Sequence, residues 1–529
     1  MKSNFTPSLL AFATFAACSS AAYAGAAQCV ALQSAQLDQT RISKAEWVQN
    51  GKAGQSTGAA LTGISGTADT LQPHCLVEGE IEPRTGVNGK HYGTRFQLRL
   101  PENWNGKFLF QGGGGMDGFV GEALGGTPIR GSTATPALQR GYAVVSTDSG
   151  HQGRDAGFAE DQQARLDYAY AAIGKVTRVA KQLIQQNYTK EPQHSYFMGC
   201  SNGGRAALMA AQRYPTEFDG IVASNPGFRL SRAVVAQSWD SQQFLKAAPK
   251  DAGGHKIFAN ALTQSDLDAV VKGVLQRCDA KDGLADGIVN AWESCDFKPE
   301  MVQKQIGADK VKLLKAIFGG AKNSKGENVY SPWFYDTGIA SAAWRGWKLG
   351  DSQTDQPNAR NITLGGQSLP MYFMTPSNPK FDPLTFDFDR DLAKTAQTAA
   401  INDATSTDFS TFNTRGGKMI IVTGISDPVF SAYDQRDWYR LLQKDMPDSQ
   451  NFSRLFMVPG MTHCGDGAGL DNIDPLTALE NWREHDRQPD FLLASGKAFP
   501  GKTQPVCAYP KVATYTGGDV NKASSFTCR

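Results

Sequence analysis

The sequence predicts an α/β protein in which one largely parallel sheet is interrupted by a long insertion. Short apolar or alternating segments, which are typical of strands, alternate with segments whose apolar residues recur at helical spacing. This alternation indicates a parallel sheet covered by helices. The alternation of strand-like and helix-like segments stops near residue 227 and resumes near residue 415. We therefore predict a sheet domain built from residues 25–226 and 415–529, with an inserted domain over residues 227–414.

Two patterns define the elements of the sheet domain. Residues 95–100 alternate apolar and polar with a period of two, as a strand does, and residues 165–186 carry apolar residues three or four positions apart, as a helix does. Two further helices are predicted at residues 205–213 and about 432–442. The strands are predicted at residues 95–100, 108–110, 142–146, 195–198, 418–422 and 454–458.

The composition excludes several classes of protein. The 529 residues contain 53 Lys and Arg against 51 Asp and Glu, a net charge of +2. This balance argues against nucleic acid or an anionic membrane surface as the main partner. Hydrophobic residues make up 40% of the chain, which is ordinary for a globular protein. Beyond the N-terminus, no stretch of 18 apolar residues predicts a transmembrane helix.

Residues 1–24 have the pattern of a secretory signal peptide. A basic start at Lys2 precedes an apolar stretch over residues 9–17, and the small-x-small sequence at 22–24 precedes Gly25. We expect cleavage after Ala24 and a periplasmic or secreted protein. The alternative is lipid attachment at Cys18, because the residues before it are close to a lipoprotein cleavage sequence.

The cysteines favour disulfides. Of nine cysteines, eight follow the predicted signal peptide, and an even number in an exported chain is typical of disulfide bonding. Eight cysteines allow 105 pairings, so arithmetic alone selects none. No two cysteines have the C-x₂₋₄-C spacing of a zinc site.

A nucleophilic serine is predicted at Ser201. Residues 199–203 read Gly-Cys-Ser-Asn-Gly, which fits G-x-S-x-G, and they lie between a predicted strand and a predicted helix. This is the context of a nucleophile elbow, where a sharp turn exposes the serine hydroxyl. The backbone N–H of Asn202 would then help to stabilise an oxyanion.

Along the chain of this fold, the acid should follow the serine and the histidine base should follow the acid. His463 follows the last apolar strand, whereas His255 lies in the insertion and His485 in a charged, helix-like run. Asp427 follows the strand at 418–422 and is the candidate acid. Asp434 is the competing acid. The alternative role for Asp427 is helix capping or a surface position. We predict that Asp427 orients His463 and that His463 accepts the serine proton.

A run of four glycines at residues 112–115 follows the strand at 108–110. The glycines formally match the dinucleotide fingerprint G-x-G-x-x-G, but no helical pattern follows them and no acid lies about 20 residues on. A glycine-rich loop after an early strand can instead donate the second N–H to an oxyanion. Gly115 is the predicted donor.

An acidic loop lies between Cys278 and Cys295. Asp279, Asp282 and Asp286 repel one another unless they are neutralised, and hard oxygen ligands suit Ca²⁺. The spacing is not that of an EF-hand, so the residues alone leave calcium and a solvated acidic loop equally open.

Together, Gly-Cys-Ser-Asn-Gly-Gly at 199–204 and Thr-His-Cys at 462–464 resemble the tannase and feruloyl esterase family of α/β-hydrolases. The resemblance extends over most of the chain and implies an α/β-hydrolase core with a large inserted lid. It also implies a disulfide that joins the cysteine before the nucleophile to the cysteine after the histidine. The implied pairs are Cys200–Cys464, Cys29–Cys75, Cys278–Cys295 and Cys507–Cys528.

The same resemblance implies a structural calcium ion and a substrate site. The side chains of Asp279, Asp282 and Asp286 and the carbonyls of Leu284 and Ile288 match the calcium ligands of the family. In the lid, Arg360 matches an arginine that binds a free carboxylate, a role that suits a guanidinium, although a salt bridge within the lid is the alternative. The implied substrate-binding residues are Arg360, Trp347, Leu230, Ser368 and Phe430.

These residues predict an exported serine esterase that acts on esters of aromatic acids. Monoesters of terephthalate are the first candidates, and feruloyl, other hydroxycinnamoyl or galloyl esters are the second. A protein of the same fold that binds aromatic compounds without turnover is an alternative, as is a calcium-dependent interaction module. We expect a small-molecule substrate, no nucleic acid, no transmembrane segment, and a monomer or weak dimer.

Overall fold

A computed structural model describes residues 25–52 and 70–529. The predicted signal peptide, including Cys18, lies outside the described residues. Within the part of the chain that the structure describes, no helix combines the length and the apolar character needed to span a bilayer.

The predicted α/β fold is confirmed, and its centre is a nine-stranded mixed sheet with the order β1-β2-β3-β5-β4-β6-β7-β8-β9. β1 to β3 pair antiparallel at one edge, and the strands from β5 to β9 run parallel. Two small antiparallel sheets, β10 with β11 and β12 with β13, follow near the C-terminus. The strands are β1 Thr40–Val48, β2 His74–Thr85, β3 His91–Pro101, β4 Lys107–Gln111, β5 Ala143–Thr147, β6 His194–Cys200, β7 Gly220–Ser224, β8 Lys418–Gly424, β9 Ser453–Val458, β10 Phe491–Ser495, β11 Thr503–Cys507, β12 Ala513–Tyr515 and β13 Phe526–Cys528.

The parallel strands at the centre of the sheet are buried on both faces, as is typical of parallel sheets. Every residue of β5 and β7 is buried. Alternate side chains enter two separate cores, so that Phe110 and Val145 pack on one face while Leu109 and Val144 pack on the other. The loops at the ends of these strands are therefore held on a rigid support.

Helices cover both faces, and the segment between β7 and β8 forms further helices beside the sheet. Ala172–Tyr188 and Asn202–Arg213 pack on one core, and Pro475–His485 packs on the other. The segment between β7 and β8 has a hydrophobic core of its own. Its longer helices and its two π-helical turns are Leu230–Ala247, Gln264–Cys278, Ala308–Phe318, Ala342–Lys348, Asn361–Gly366 and Leu369–Phe373. The other α-helices are Gln162–Leu166, Gln303–Ile306, Ala396–Asn402, Ser410–Thr414 and Ala432–Asp445.

Arg205 joins the helix after β6 to its surroundings. Its side chain is buried. The guanidinium donates hydrogen bonds to the carbonyls of Ala169 at 2.7 Å, Tyr168 at 3.0 Å and Asn402 at 3.0 Å, and Nε donates to the Asn202 Oδ1 at 2.7 Å. One side chain therefore satisfies acceptors from three separate segments of the chain.

All four disulfides implied by the family resemblance are present, so that prediction is confirmed. Each has Cα atoms 5.2 to 6.0 Å apart, as disulfide geometry requires. The pairs are Cys29–Cys75, Cys200–Cys464, Cys278–Cys295 and Cys507–Cys528.

Candidate active site

Ser201 lies in the sharp turn between β6 and the helix Asn202–Arg213. Its backbone has φ 61° and ψ −125°, a conformation that a residue with a side chain rarely adopts. The turn packs tightly against the glycine-rich loop, because a Cβ added at Gly203 would lie 2.4 Å from the carbonyl oxygen of Gly113. The G-x-S-x-G pattern therefore forms the strained strand-to-helix turn that it predicts.

His463 and Asp427 form a buried pair. His463 Nδ1 lies 2.9 Å from Asp427 Oδ2 and 3.1 Å from Oδ1. The carboxylate also accepts hydrogen bonds from Asn225 Nδ2 at 2.8 Å and from the backbone N–H groups of Val429 at 2.7 Å and Phe430 at 3.2 Å. These bonds fix the orientation of the carboxylate, and its contact with Nδ1 leaves Nε2 as the ring nitrogen free to exchange a proton.

The disulfide Cys200–Cys464 brings the serine turn and the histidine loop together, since each cysteine is adjacent to one of the two residues. The rings of Trp347 and Phe430 contact His463 edge-on, with centroids 5.5 and 5.3 Å away. Both of these aromatic residues line the cavity that contains Ser201.

The competing residues lie elsewhere. Asp434 forms an ion pair with Arg229 at 3.1 Å and accepts a hydrogen bond from Ser331. His255 is exposed and lies 3.5 Å from Asp251. His485 ends the helix Pro475–His485 on the far core. The structure thus brings Asp427, rather than Asp434, to His463.

The predicted oxyanion residues line the same cavity as Ser201. Gly115 has φ +62°, a conformation open to glycine, and its carbonyl accepts a hydrogen bond from the Tyr168 hydroxyl at 3.0 Å. That bond fixes the rotation of the peptide that follows Gly115. Asn202 begins the helix after the serine turn.

Asp117 connects the glycine loop to this helix, and the sequence did not predict it. Its buried carboxylate accepts hydrogen bonds from the Asn202 Nδ2 at 2.8 Å and from the Ser149 hydroxyl, and its backbone N–H donates to the Gly114 carbonyl at 3.1 Å. Burial raises the pKa of Asp117 to about 6. No local pattern distinguishes this aspartate, because its partners lie about 30 and 85 positions away.

Four of the five predicted substrate-binding residues line the Ser201 cavity, and the fifth, Arg360, lies close to Trp347. Arg360 is exposed, and its guanidinium carbon lies 5.6 Å from the ring centroid of Trp347. Among the described residues, no carboxylate lies within salt-bridge distance of Arg360. The four that line the cavity are Leu230, Trp347, Ser368 and Phe430. The sequence did not predict Met116, Tyr168, Val234, Gln237, Phe373 or Val429 as lining residues.

The acidic loop is held by hydrogen bonds and by ion pairs, one of which joins Lys281 to Asp296 at 2.6 Å. Asp279 accepts a hydrogen bond from the Gly287 N–H at 3.0 Å, and Asp282 accepts one from the Asn290 N–H at 3.0 Å. Lys502 lies 2.6 Å from Asp286. Throughout residues 25–52 and 70–529, no three His, Cys, Asp or Glu side chains converge as a metal site requires.

Comparison with known proteins identifies the family. The model of the tannase and feruloyl esterase family matches residues 75–529, so the chain belongs to that family and is a carboxylic ester hydrolase. It is 37% identical to mono(2-hydroxyethyl) terephthalate hydrolase from Piscinibacter sakaiensis, over 87% of this chain and 86% of that protein.

Two solved structures share the fold. Feruloyl esterase B from Aspergillus oryzae superposes with a TM-score of 0.77 at 22% identity, over 96% of this chain and 100% of that one. Tannin acyl hydrolase from Aspergillus niger gives 0.73 at 21% identity, over 96% and 94%. At this identity the likeness shows an α/β-hydrolase fold and leaves the substrate open.

We predict that Asp117→Asn lowers kcat about tenfold with little change in KM, because Asn202 loses a charged acceptor that positions it. The raised pKa means that the folded state disfavours the charged carboxylate. The protonated Asp117 carboxyl therefore makes its full contribution to stability below about pH 4, and this contribution is lost as the pH rises through 6. The variant should consequently keep or exceed the wild-type Tm at pH 7.

The measurement is steady-state hydrolysis of p-nitrophenyl acetate with thermal unfolding at pH 7. Asp155→Asn is the control, since Asp155 is an exposed acid that accepts a hydrogen bond from the Gly157 N–H at 2.7 Å in a nearby turn. An unchanged kcat for Asp117→Asn would show that Asp117 does not position the oxyanion residues.

Proposed function

We propose that this member of the tannase and feruloyl esterase family hydrolyses esters of aromatic acids with Ser201 as nucleophile, His463 as base and Asp427 as the orienting acid. The observation that carries the proposal is the buried contact of His463 Nδ1 with Asp427 Oδ2 at 2.9 Å. The disulfide Cys200–Cys464 joins the loop of this histidine to the strained turn that contains Ser201. The first substrate candidate is mono(2-hydroxyethyl) terephthalate, which would yield terephthalate and ethylene glycol.

The proposed reaction is a two-step acyl transfer. The Ser201 hydroxyl attacks the ester carbonyl while His463 Nε2 takes its proton, and Asp427 stabilises the imidazolium. The backbone N–H groups of Asn202 and Gly115 would hold the tetrahedral oxyanion. Collapse of this intermediate returns the proton to the leaving alcohol and leaves an acyl-serine, which water hydrolyses by the same steps in reverse.

The residues that line the cavity favour a substrate with an aromatic acyl group. Trp347 and Leu230 are almost fully buried and line the cavity with Ser201, so they can hold a ring between them. An aromatic acid fits such a slot better than an aliphatic chain of similar length, because both of its faces contact apolar surface.

The positive charge near the cavity favours a substrate whose aromatic ring carries a carboxylate. Arg360 is exposed, but neighbouring residues partly shield its guanidinium from water, and this partial desolvation, followed by the nearby charge of Arg130, lowers the pKa of Arg360. The two cations therefore lie close enough to repel each other. A carboxylate on the substrate would relieve this repulsion and can bind the Arg360 guanidinium through two parallel hydrogen bonds. Feruloyl and galloyl esters, which lack this carboxylate, are therefore the second candidates.

We predict that Arg360→Ala lowers kcat/KM for mono(2-hydroxyethyl) terephthalate about 30-fold and changes that for methyl ferulate less than about threefold. The reason is that a hydrogen bond to a charged group contributes about 2 kcal/mol. Ser201→Ala should lower turnover of both esters by about 10⁴-fold or more. Parallel steady-state assays of the purified variants measure both effects.

Arg390→Ala is the matched control, because Arg390 is also exposed in the insertion, pairs with Asp391 and does not line the cavity. A preference for methyl ferulate that Arg360→Ala does not alter would assign the enzyme to the feruloyl class. Binding of both esters without Ser201-dependent turnover would favour a protein that binds aromatic compounds.

The acidic loop is proposed to hold a structural Ca²⁺. Carboxylates from Asp279, Asp282 and Asp286 lie within eight positions in a segment closed by the disulfide Cys278–Cys295, and oxygen donors suit calcium. The carbonyls of Leu284 and Ile288 complete the proposed ligands. Binding would require the three carboxylates to move closer together and Asp286 to exchange Lys502 for the ion.

We predict that chelation with EGTA lowers the Tm by several degrees and that Ca²⁺, but not Mg²⁺, restores it, because an ion bound only by the folded state stabilises that state. Asp282→Asn should abolish the response, whereas the control Asp296→Asn should retain it, since Asp296 is an exposed acid paired with Arg277. A Tm that is insensitive to chelation, with no calcium found by atomic absorption, would contradict the site.

Export with removal of residues 1–24 is also proposed, and four disulfides support it, because disulfides persist in oxidising compartments. We predict that protein recovered from a Gram-negative host expressing the full chain begins at Gly25. N-terminal sequencing with intact-mass measurement tests this. Cys18→Ala is the control and should be processed identically. A lipid-modified N-terminus at Cys18 would contradict it.

A further inference from the structure

Gln237 carries an unpaired polar atom in the wall of the Ser201 cavity. Its side chain is only 3% exposed. Its Oε1 is buried and has no hydrogen-bond donor among the described residues. Gln237 lines the same cavity as Ser201. Buried acceptors without partners are rare in native proteins because they lose their bonds to water and gain none in return.

The helix Leu230–Ala247 directs Gln237 towards the cavity. Leu230, Val234 and Gln237 are four and three positions apart, so they lie on one face of the helix, and all three line the cavity. Gln237 therefore extends the wall that Leu230 and Val234 begin, and it adds a neutral polar group to that apolar wall.

The nearby hydroxyl groups are already engaged with the backbone. The Ser368 hydroxyl donates to the Gly365 carbonyl at 2.7 Å, and the Tyr168 hydroxyl donates to the Gly115 carbonyl at 3.0 Å. Ser201 is the proposed nucleophile. The hydroxyl groups of Ser368 and Tyr168 are thus engaged elsewhere, and the Gln237 carbonyl keeps its capacity to accept a hydrogen bond.

Gly365 makes room for this amide. A Cβ added at Gly365 would lie 1.5 Å from Gln237 Oε1, so any other residue at this position would displace the side chain. The position of the Gln237 carbonyl therefore depends on the absence of a side chain at residue 365.

We propose that Gln237 is a specificity-determining residue, whose Oε1 accepts a hydrogen bond from a hydroxyl group on the acyl ring of the substrate. The proposal rests on the proposed esterase function of Ser201. A carboxylate has no proton to donate, so Gln237 and Arg360 select different substituents. Gln237 favours ring-hydroxylated acids, and Arg360 favours ring-carboxylated acids.

The experiment compares methyl benzoate with the methyl esters of 3- and 4-hydroxybenzoate. For the better of the two hydroxylated esters, Gln237→Leu should lower the ratio of its kcat/KM to that of methyl benzoate about tenfold, since one neutral hydrogen bond is lost. Leu has nearly the size of Gln and removes an unpaired acceptor, so the Tm should not fall.

Gln242→Leu is the matched control. It removes an amide from the same helix, where Gln242 Nε2 donates to the Phe386 carbonyl at 2.9 Å outside the cavity, and it should leave the ratio unchanged. Gly365→Ala provides a second variant, because its methyl group displaces the Gln237 amide without altering its chemistry. It should lower the same ratio.

Equal losses for all three esters, or an unchanged ratio in both Gln237→Leu and Gly365→Ala, would overturn the proposal. If Gln237→Leu does not fold, Gly365→Ala decides the result by the same ratio. Failure of the esterase function itself is distinct, since wild-type enzyme would then show no Ser201-dependent turnover of any ester.

Discussion

The proposed active site depends on keeping Ser201 in a backbone conformation that it disfavours. At φ 61° the residue is strained, so the surrounding structure has to hold it there. Its N–H donates to the Ser224 carbonyl at 3.1 Å, and its own carbonyl accepts from the N–H groups of Arg205 at 3.0 Å and Gly227 at 3.1 Å. The disulfide from Cys200 adds a covalent restraint. Neighbouring strands, the following helix and the histidine loop thus all contribute to one turn.

The two parts of the chain contribute different functions. The sheet supplies the turn with Ser201 and the loops with Asp427 and His463, because parallel strands all end at the same edge. The segment between the adjacent strands β7 and β8 contains Trp347, which lines the cavity, and Arg360, which lies near it. Under the proposed mechanism, changes in this segment would alter the substrate while the reaction chemistry stays on the sheet.

The sequence predicted features that depend on short local patterns. All six predicted strands exist, and the pattern around Ser201 located the turn, because these features depend on neighbouring residues. β1 was not predicted: in Thr40–Val48 only Ile42 is buried, so this edge strand lacks an apolar pattern. β7 is only five residues long and was also missed. Asp117 and Gln237 escaped prediction because distant segments create their surroundings. The disulfide pairing came from family resemblance, since spacing alone leaves it open.

The positions of Arg360 and Gln237 follow from the cost of removing polar groups from water. An unpaired guanidinium in a dry cavity would be strongly destabilising, and Arg360 is exposed, where water solvates it until an anion binds. A neutral amide costs far less to bury, so Gln237 is tolerated in the wall although its carbonyl has no partner. If both proposals hold, Arg360 binds charged substituents where water remains, and Gln237 binds neutral donors where water is excluded. One apolar cavity would then distinguish two classes of aromatic acid, because each polar residue lies where removing it from water costs little free energy.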